Sequence, residues 1–175
     1  TQVSIMLNPT PTIIADPITY INEIRALARL ETIQYSVEKV ITGETGGGTF
    51  ATFFGDKILF VGHGTVIAGI DMEKLTPENM RYENGVLTVQ LPPAEIFIAT
   101  LDNGKSYVYD RDTGLLTKPD PNLETLVRQK AEEEILKAAL EDGILDQAQI
   151  NAEAYLFKFF AALGFPNTIF LQNPN

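Results

Sequence analysis

The sequence predicts an α+β fold: one domain with a twisted, mostly antiparallel sheet, an N-terminal helix and a C-terminal helical hairpin followed by a short strand. Three observations carry this. Apolar residues recur at helical spacing near the start and again over the last third. Between them, period-two alternation and turn dipeptides mark a run of strands. The length of 175 residues fits one ordinary domain with a short arm.

Residues 1–15, with Pro9 and Pro11, read as an extended arm leading into a domain over 16–175. Asp16-Pro17 suits a helix start, since Asp caps free amides and Pro tolerates the first helical position. Tyr20, Ile21, Ile24, Leu27 and Ala28 then share one face. From Ile33 the period changes to two, with Tyr35 and Val37 on the same side. Gly43–Gly48 reads as a loop. Lys57–Val61 and Thr65–Ile70 read as strands, with a bend or bulge at Gly62-His63-Gly64. Residues 72–80 read as a connection holding one helical turn. Asn84-Gly85 and Asn103-Gly104 each suit a tight hairpin turn, the first before Val86–Leu91, the second between Glu95–Leu101 and Ser106–Arg111. Leu123, Val127, Ala131, Ile135 and Ala139 form a helical stripe that Gly143 ends. Asp146 reads as the cap of the next helix, whose face is Ala148, Ala152, Tyr155, Leu156, Phe159, Phe160 and Leu163. Thr168–Leu171 reads as a final strand.

Composition narrows the function. With 23 acidic and 13 basic residues the net charge is −10, spread along the chain without a basic stripe to neutralise phosphates. Nucleic acid is therefore not expected as a partner, and no cationic patch invites an anionic lipid surface. No Cys is present, which excludes a disulfide framework, a zinc–thiolate site and a thiol nucleophile. The single His leaves little for acid–base chemistry. No stretch of about 18 apolar residues can span a bilayer.

Several motifs fail on context. Residues 99–106 match a relaxed phosphate loop, but Ser106-Tyr107-Val108-Tyr109 continues as strand where a helix must open. Gly62, Gly64 and Gly69 lack the spacing of a dinucleotide fingerprint and precede no helix, so they are read as serving bends or close backbone packing. Asp110 and Asp112 stand two apart like the start of a calcium loop. Gly114 and Pro121, however, occupy positions where such a loop needs oxygen ligands. The candidates for a site are His63, Asp71, Asp110 and Asp112, which a hydrolase would have to bring into one cleft. Phe157, off the main apolar face of its helix, is the candidate interaction surface. No catalytic residue, metal or cofactor is assigned.

The order of segments resembles an uncharacterised bacterial family, the domain of unknown function numbered four-two-three-zero. The resemblance lies in Ile24–Thr32, Gly64–Asp71, Val86–Pro92 with Glu95-Ile96, Gly143-Ile144-Leu145, Asn151-Ala152-Glu153 and Leu163-Gly164-Phe165. It implies one N-terminal membrane anchor followed by a single domain outside the cytoplasm, and it implies no catalytic residue. A removed anchor before Thr1 accords with it. The expectation is a non-enzymatic binding or assembly domain of the bacterial envelope, membrane-tethered only through that anchor. Its partner would be an envelope protein or a second copy. The alternatives are a carboxylate-dependent hydrolase and a small-ligand carrier.

Overall fold

The computed structural model describes residues 21, 24–25, 27–46 and 54–172. Two long strands dominate it: β1 (Arg29–Thr45) and β2 (Asp56–Asp71) pair antiparallel over nearly their whole length, from Arg29 opposite Asp71 to Thr45 opposite Asp56. The other edge of β2 is shared by two strands in succession. β5 (Glu95–Leu101) pairs with residues 64–69 and β6 (Tyr107–Thr113) with residues 56–61, both antiparallel. A second sheet holds β3 (Met80–Glu83), β4 (Val86–Gln90) and β7 (Thr168–Leu171), with β7 parallel to β4. The strands thus divide between two sheets rather than forming one.

Two helices follow β6: α1 (Pro121–Glu141) and α2 (Ile144–Ala162). They do not fold back as a hairpin but lie end to end along β2. Leu123, Val127 and Ala131 pack on Ile58 and Phe60; Ile135, Ala139, Ile144 and Ala148 pack on Val66 and Ala68. Ala152, Leu156 and Phe160 then reach Ile70, Met72 and the small sheet. The repeats match physically. Same-face strand residues recur about every 6.6 Å, and a four-residue helical stripe about every 6.0 Å. Gly143, at φ +77°, makes the link. Gly143 also precedes the first turn of α2, so Asp146 lies inside that turn instead of capping it. Tyr155 falls off the buried stripe and is exposed, because the stripe narrows to Ala148, Ala152, Leu156 and Phe160.

Glycine sets how closely α1 approaches. β2 runs unbroken through Gly62-His63-Gly64, and the register shifts in its pairings lie elsewhere: opposite Glu31–Ile33 of β1, at Ile67/Ala68 against β5 and at Leu59/Phe60 against β6. A Cβ on Gly62 would sit 2.9 Å from that of Ala131, and one on Gly64 2.8 Å from Ile135 Cδ1. These glycines are contact points, not breaks, and Gly43 does the same under Val127 from within β1.

Asn84-Gly85 does form the tight turn of β3 and β4, both at positive φ. Asn103-Gly104 does not reverse the chain. Asp102 accepts the N–H groups of Gly104 and Lys105, shaping residues 102–106 into an excursion between two strands that both pair with β2. Residues 72–79 form two short 3₁₀ turns. The helix expected from Asp16-Pro17 lies mostly outside the described residues. Of its apolar face, Ile21 and Ile24 are buried in the cluster with Leu156 and Phe160.

Substituting Gly62→Ala should cost about 1–3 kcal/mol through overpacking against Ala131. In urea melts, combining it with Ala131→Gly should cost less than the sum of the two changes; strict additivity would show that the contact does not limit helix approach.

Candidate functional site

Because side chains alternate along a strand, sealing one face of the large sheet leaves the other open. The register sets out that face row by row. Glu44, Lys57 and Asp112 form one row; Thr42, Leu59 and Asp110 the next; then Val40, Val61 and Tyr107; then Glu38 and His63. Beyond these lie Ser36, Thr65 and Thr100, then Gln34, Ile67 and Ile98. Val40 is 58% exposed and Tyr107 50%. Tyr109, the extra residue where the β6 register shifts, is 68% exposed.

His63 lies at the centre of this face. Its Nε2 is 3.0 Å from Glu38 Oε2 on β1. Its backbone holds the 102–106 excursion in place: the carbonyl accepts the Asp102 N–H at 2.7 Å, and the N–H donates to Ser106 Oγ at 3.0 Å. The Ser106 hydroxyl in turn donates to the Asp102 carbonyl at 2.7 Å. A hollow of about 120 Å³ lies here, lined by Ser36, Glu38, His63, Thr65, Asp102 and Lys105.

The four titratable candidates do not converge. Asp112 faces Lys57 and Asp110 faces Leu59 near the start of β2, whereas Asp71 ends it. Fourteen residues separate Lys57 from Asp71, about 46 Å of strand, with His63 between. Asp71 accepts the Glu73 N–H at 3.0 Å, capping the first 3₁₀ turn, and lies 3.6 Å from Lys74. Phe157 is 44% exposed on the outer side of α2. Among the described residues no group of three or more His, Asp or Glu side chains is placed to hold a metal.

Asp56, which the sequence reading did not single out, is the most constrained carboxylate. It is buried and accepts from Arg111 Nε (3.1 Å) and Nη2 (2.6 Å), Thr113 Oγ1 (3.0 Å) and the Asp120 N–H (2.8 Å). The Arg111 hydrogen bonds lead in lowering its pKa from 3.8 to about 2, against the opposing effect of burial. Arg111 also donates to the Asp120 carbonyl, so the network ties β2, β6 and the start of α1 together. Asp110 and Asp112, on either side of Arg111, point to the opposite face. The signal that could have found this network is the same alternation: Arg111 falls on the covered face, where a charge needs a partner.

The arrangement defines a class of protein: an α+β domain whose end-to-end helices seal one face of a long-stranded sheet and, among the described residues, leave the other uncovered. Residues 22–169 match the family described as protein of unknown function, DUF4230, and the chain belongs to that family. No curated protein and no solved structure matches it.

Folding favours ionised Asp56, so its contribution is complete above about pH 4 and is lost as pH falls toward 2. Asp56→Asn should destabilise the protein by about 3–5 kcal/mol, because Arg111 is left without its counter-charge. It should also flatten the pH dependence of stability between pH 4 and 2 in urea titrations; an unchanged acid limb would assign that limb to other carboxylates.

Proposed function

We propose that this is a non-enzymatic binding or assembly domain, tethered to the membrane on the outside of a bacterial cell, whose docking surface is the open sheet face. The observation that carries the reading is the exposed apolar surface of Val40 and Tyr107, which flank the buried Val61 and are continued by half-buried Leu59, with no described element lying over them. Contiguous exposed apolar surface rimmed by polar residues marks interaction sites. The location rests on the anchor-plus-domain layout that the family resemblance implies. Among the described residues no helix is long and apolar enough to cross a membrane, so tethering is assigned to a segment outside them.

The spread of His63, Asp71, Asp110 and Asp112 along β2 weighs against a hydrolase built on them. Small-ligand carriage is a second reading, supported by a cleft of about 530 Å³ beside Pro93, Leu145, Ile150 and Glu153. Excess mass on the native monomer in mass spectrometry would favour it.

A photoreactive residue at position 107, in the protein expressed in its own cells, should give a discrete cross-linked adduct, and one at Lys137 on the outer side of α1 should not. Adding Val40→Asp should reduce the position-107 adduct several-fold. Equal adducts from both positions, or none from 107, would sink the docking reading. Protection of the domain from protease added to cells whose outer layer is permeabilised and whose inner membrane is intact would sink the location.

A further inference from the structure

We infer that the occupant of the open face is a cationic amphipathic segment of another protein, seated at the Tyr107 end of the sheet. The inference rests on the docking reading above and adds the partner's chemistry. Four consecutive rows there carry Glu38, Glu44, Asp110 and Asp112, with Lys57 their one basic side chain among the described residues; Lys105, which lines the hollow beside Glu38, stands 3.5 Å from Asp102. Lys57 stands directly between Glu44 and Asp112, so it offsets only part of that charge. The carboxylates frame the apolar row on both sides along the strands. An occupant must therefore present apolar side chains to Val40, Tyr107 and the accessible part of Leu59, and basic ones to the frame.

The exposed phenol rings fit the same partner. Tyr107, in the apolar row, and Tyr109, the unpaired residue next to Asp110, have half or more of their surface accessible, and an aromatic face attracts Lys or Arg within about 6 Å. Among the described residues the protein already makes this contact on its own account, with Arg29 5.2 Å over Phe97 and Arg128 4.8 Å over Phe60. A second copy of the chain is a poorer occupant. It carries the same net charge of −10 and would bring carboxylates to a carboxylate frame. Single exposed ion pairs are weak, so affinity has to come from the frame and the row acting together.

The test uses a dye-labelled twelve-residue peptide of alternating Lys and Val, read by fluorescence anisotropy at 50 and 150 mM NaCl. The triple variant Glu44→Gln, Asp110→Asn, Asp112→Asn should weaken binding about tenfold or more. Tyr107→Ala with Tyr109→Ala, which leaves the charge unchanged, should weaken it about fivefold. A charge-matched control on α1, Glu132→Gln, Glu133→Gln, Glu141→Gln, should change it less than about twofold. All six acidic positions are exposed, and circular dichroism checks that each variant is folded. Equal weakening by both triple variants would reduce the effect to overall charge and overturn the inference. No binding of the peptide at 50 mM NaCl would overturn it too. If the position-107 adduct nevertheless forms in cells, the docking reading stands without a cationic partner; if both fail, the docking reading fails with it.

Discussion

The near-commensurate repeats of strand and helix govern most of this structure. Successive covered-face residues of β2 advance about 6.6 Å, and successive stripe residues of α1 and α2 about 6.0 Å, so one helical layer follows one strand for its full length. The match is useful only if the layers approach closely. Gly43, Gly62 and Gly64 on the sheet, with Ala131 on α1, remove the side-chain bulk that would hold them apart. A 16-residue strand could not be covered by one ordinary helix. Two helices linked through Gly143 cover it, and the second continues onto the small sheet through Leu156 and Phe160.

Such a layer needs fixing at its ends, where helix dipoles and strand termini leave groups unsatisfied. At one end Asp56 gathers Arg111, Thr113 and the Asp120 amide, locking the start of β2 to the end of β6 and the entry to α1. At the other, the irregularity in β1 between Glu31 and Ile33 is held by α2: the Thr32 hydroxyl donates to the Ala148 carbonyl at 2.8 Å, and the Asn151 amide donates to the Thr32 carbonyl at 3.0 Å. The first device is ionic and acid-sensitive. The second consists of neutral hydrogen bonds.

Much of the fold was legible because it is local. The α1 stripe from Leu123 to Ala139, the Gly143 turn and the Asn84-Gly85 hairpin follow from spacing and φ preference alone. What was not legible depends on partners distant in sequence. Asn103-Gly104 carries the same turn chemistry as Asn84-Gly85, yet β2 offers an edge long enough for β5 and β6 to bind it in succession. Likewise, helical periodicity says nothing about whether two consecutive helices reverse or continue. The candidate site divides the same way. Alternation puts Asp110 and Asp112 on one face, but only the register with Lys57, Glu44 and Val61 shows what that face contains.

The outer side of β1 poses a further physical question, because a 17-residue strand that among the described residues pairs on one edge only is a template for unwanted pairing. It contains no proline, and its irregularity lies near one end. Two copies joined antiparallel through β1 would be related by a two-fold axis perpendicular to the sheet, so their open faces would lie on the same side. Glu31, Glu38 and Glu44 of one copy would then meet the same acids of the other, with Arg29 the only base on that face of the strand and already set over Phe97. On the covered side Lys39 adds a half-buried charge, an inward-pointing deterrent to edge pairing. The acidity that disfavours self-pairing at the edge therefore also gives the face its polarity. One charge pattern discourages like chains and, on the proposed reading, would favour a partner of opposite sign.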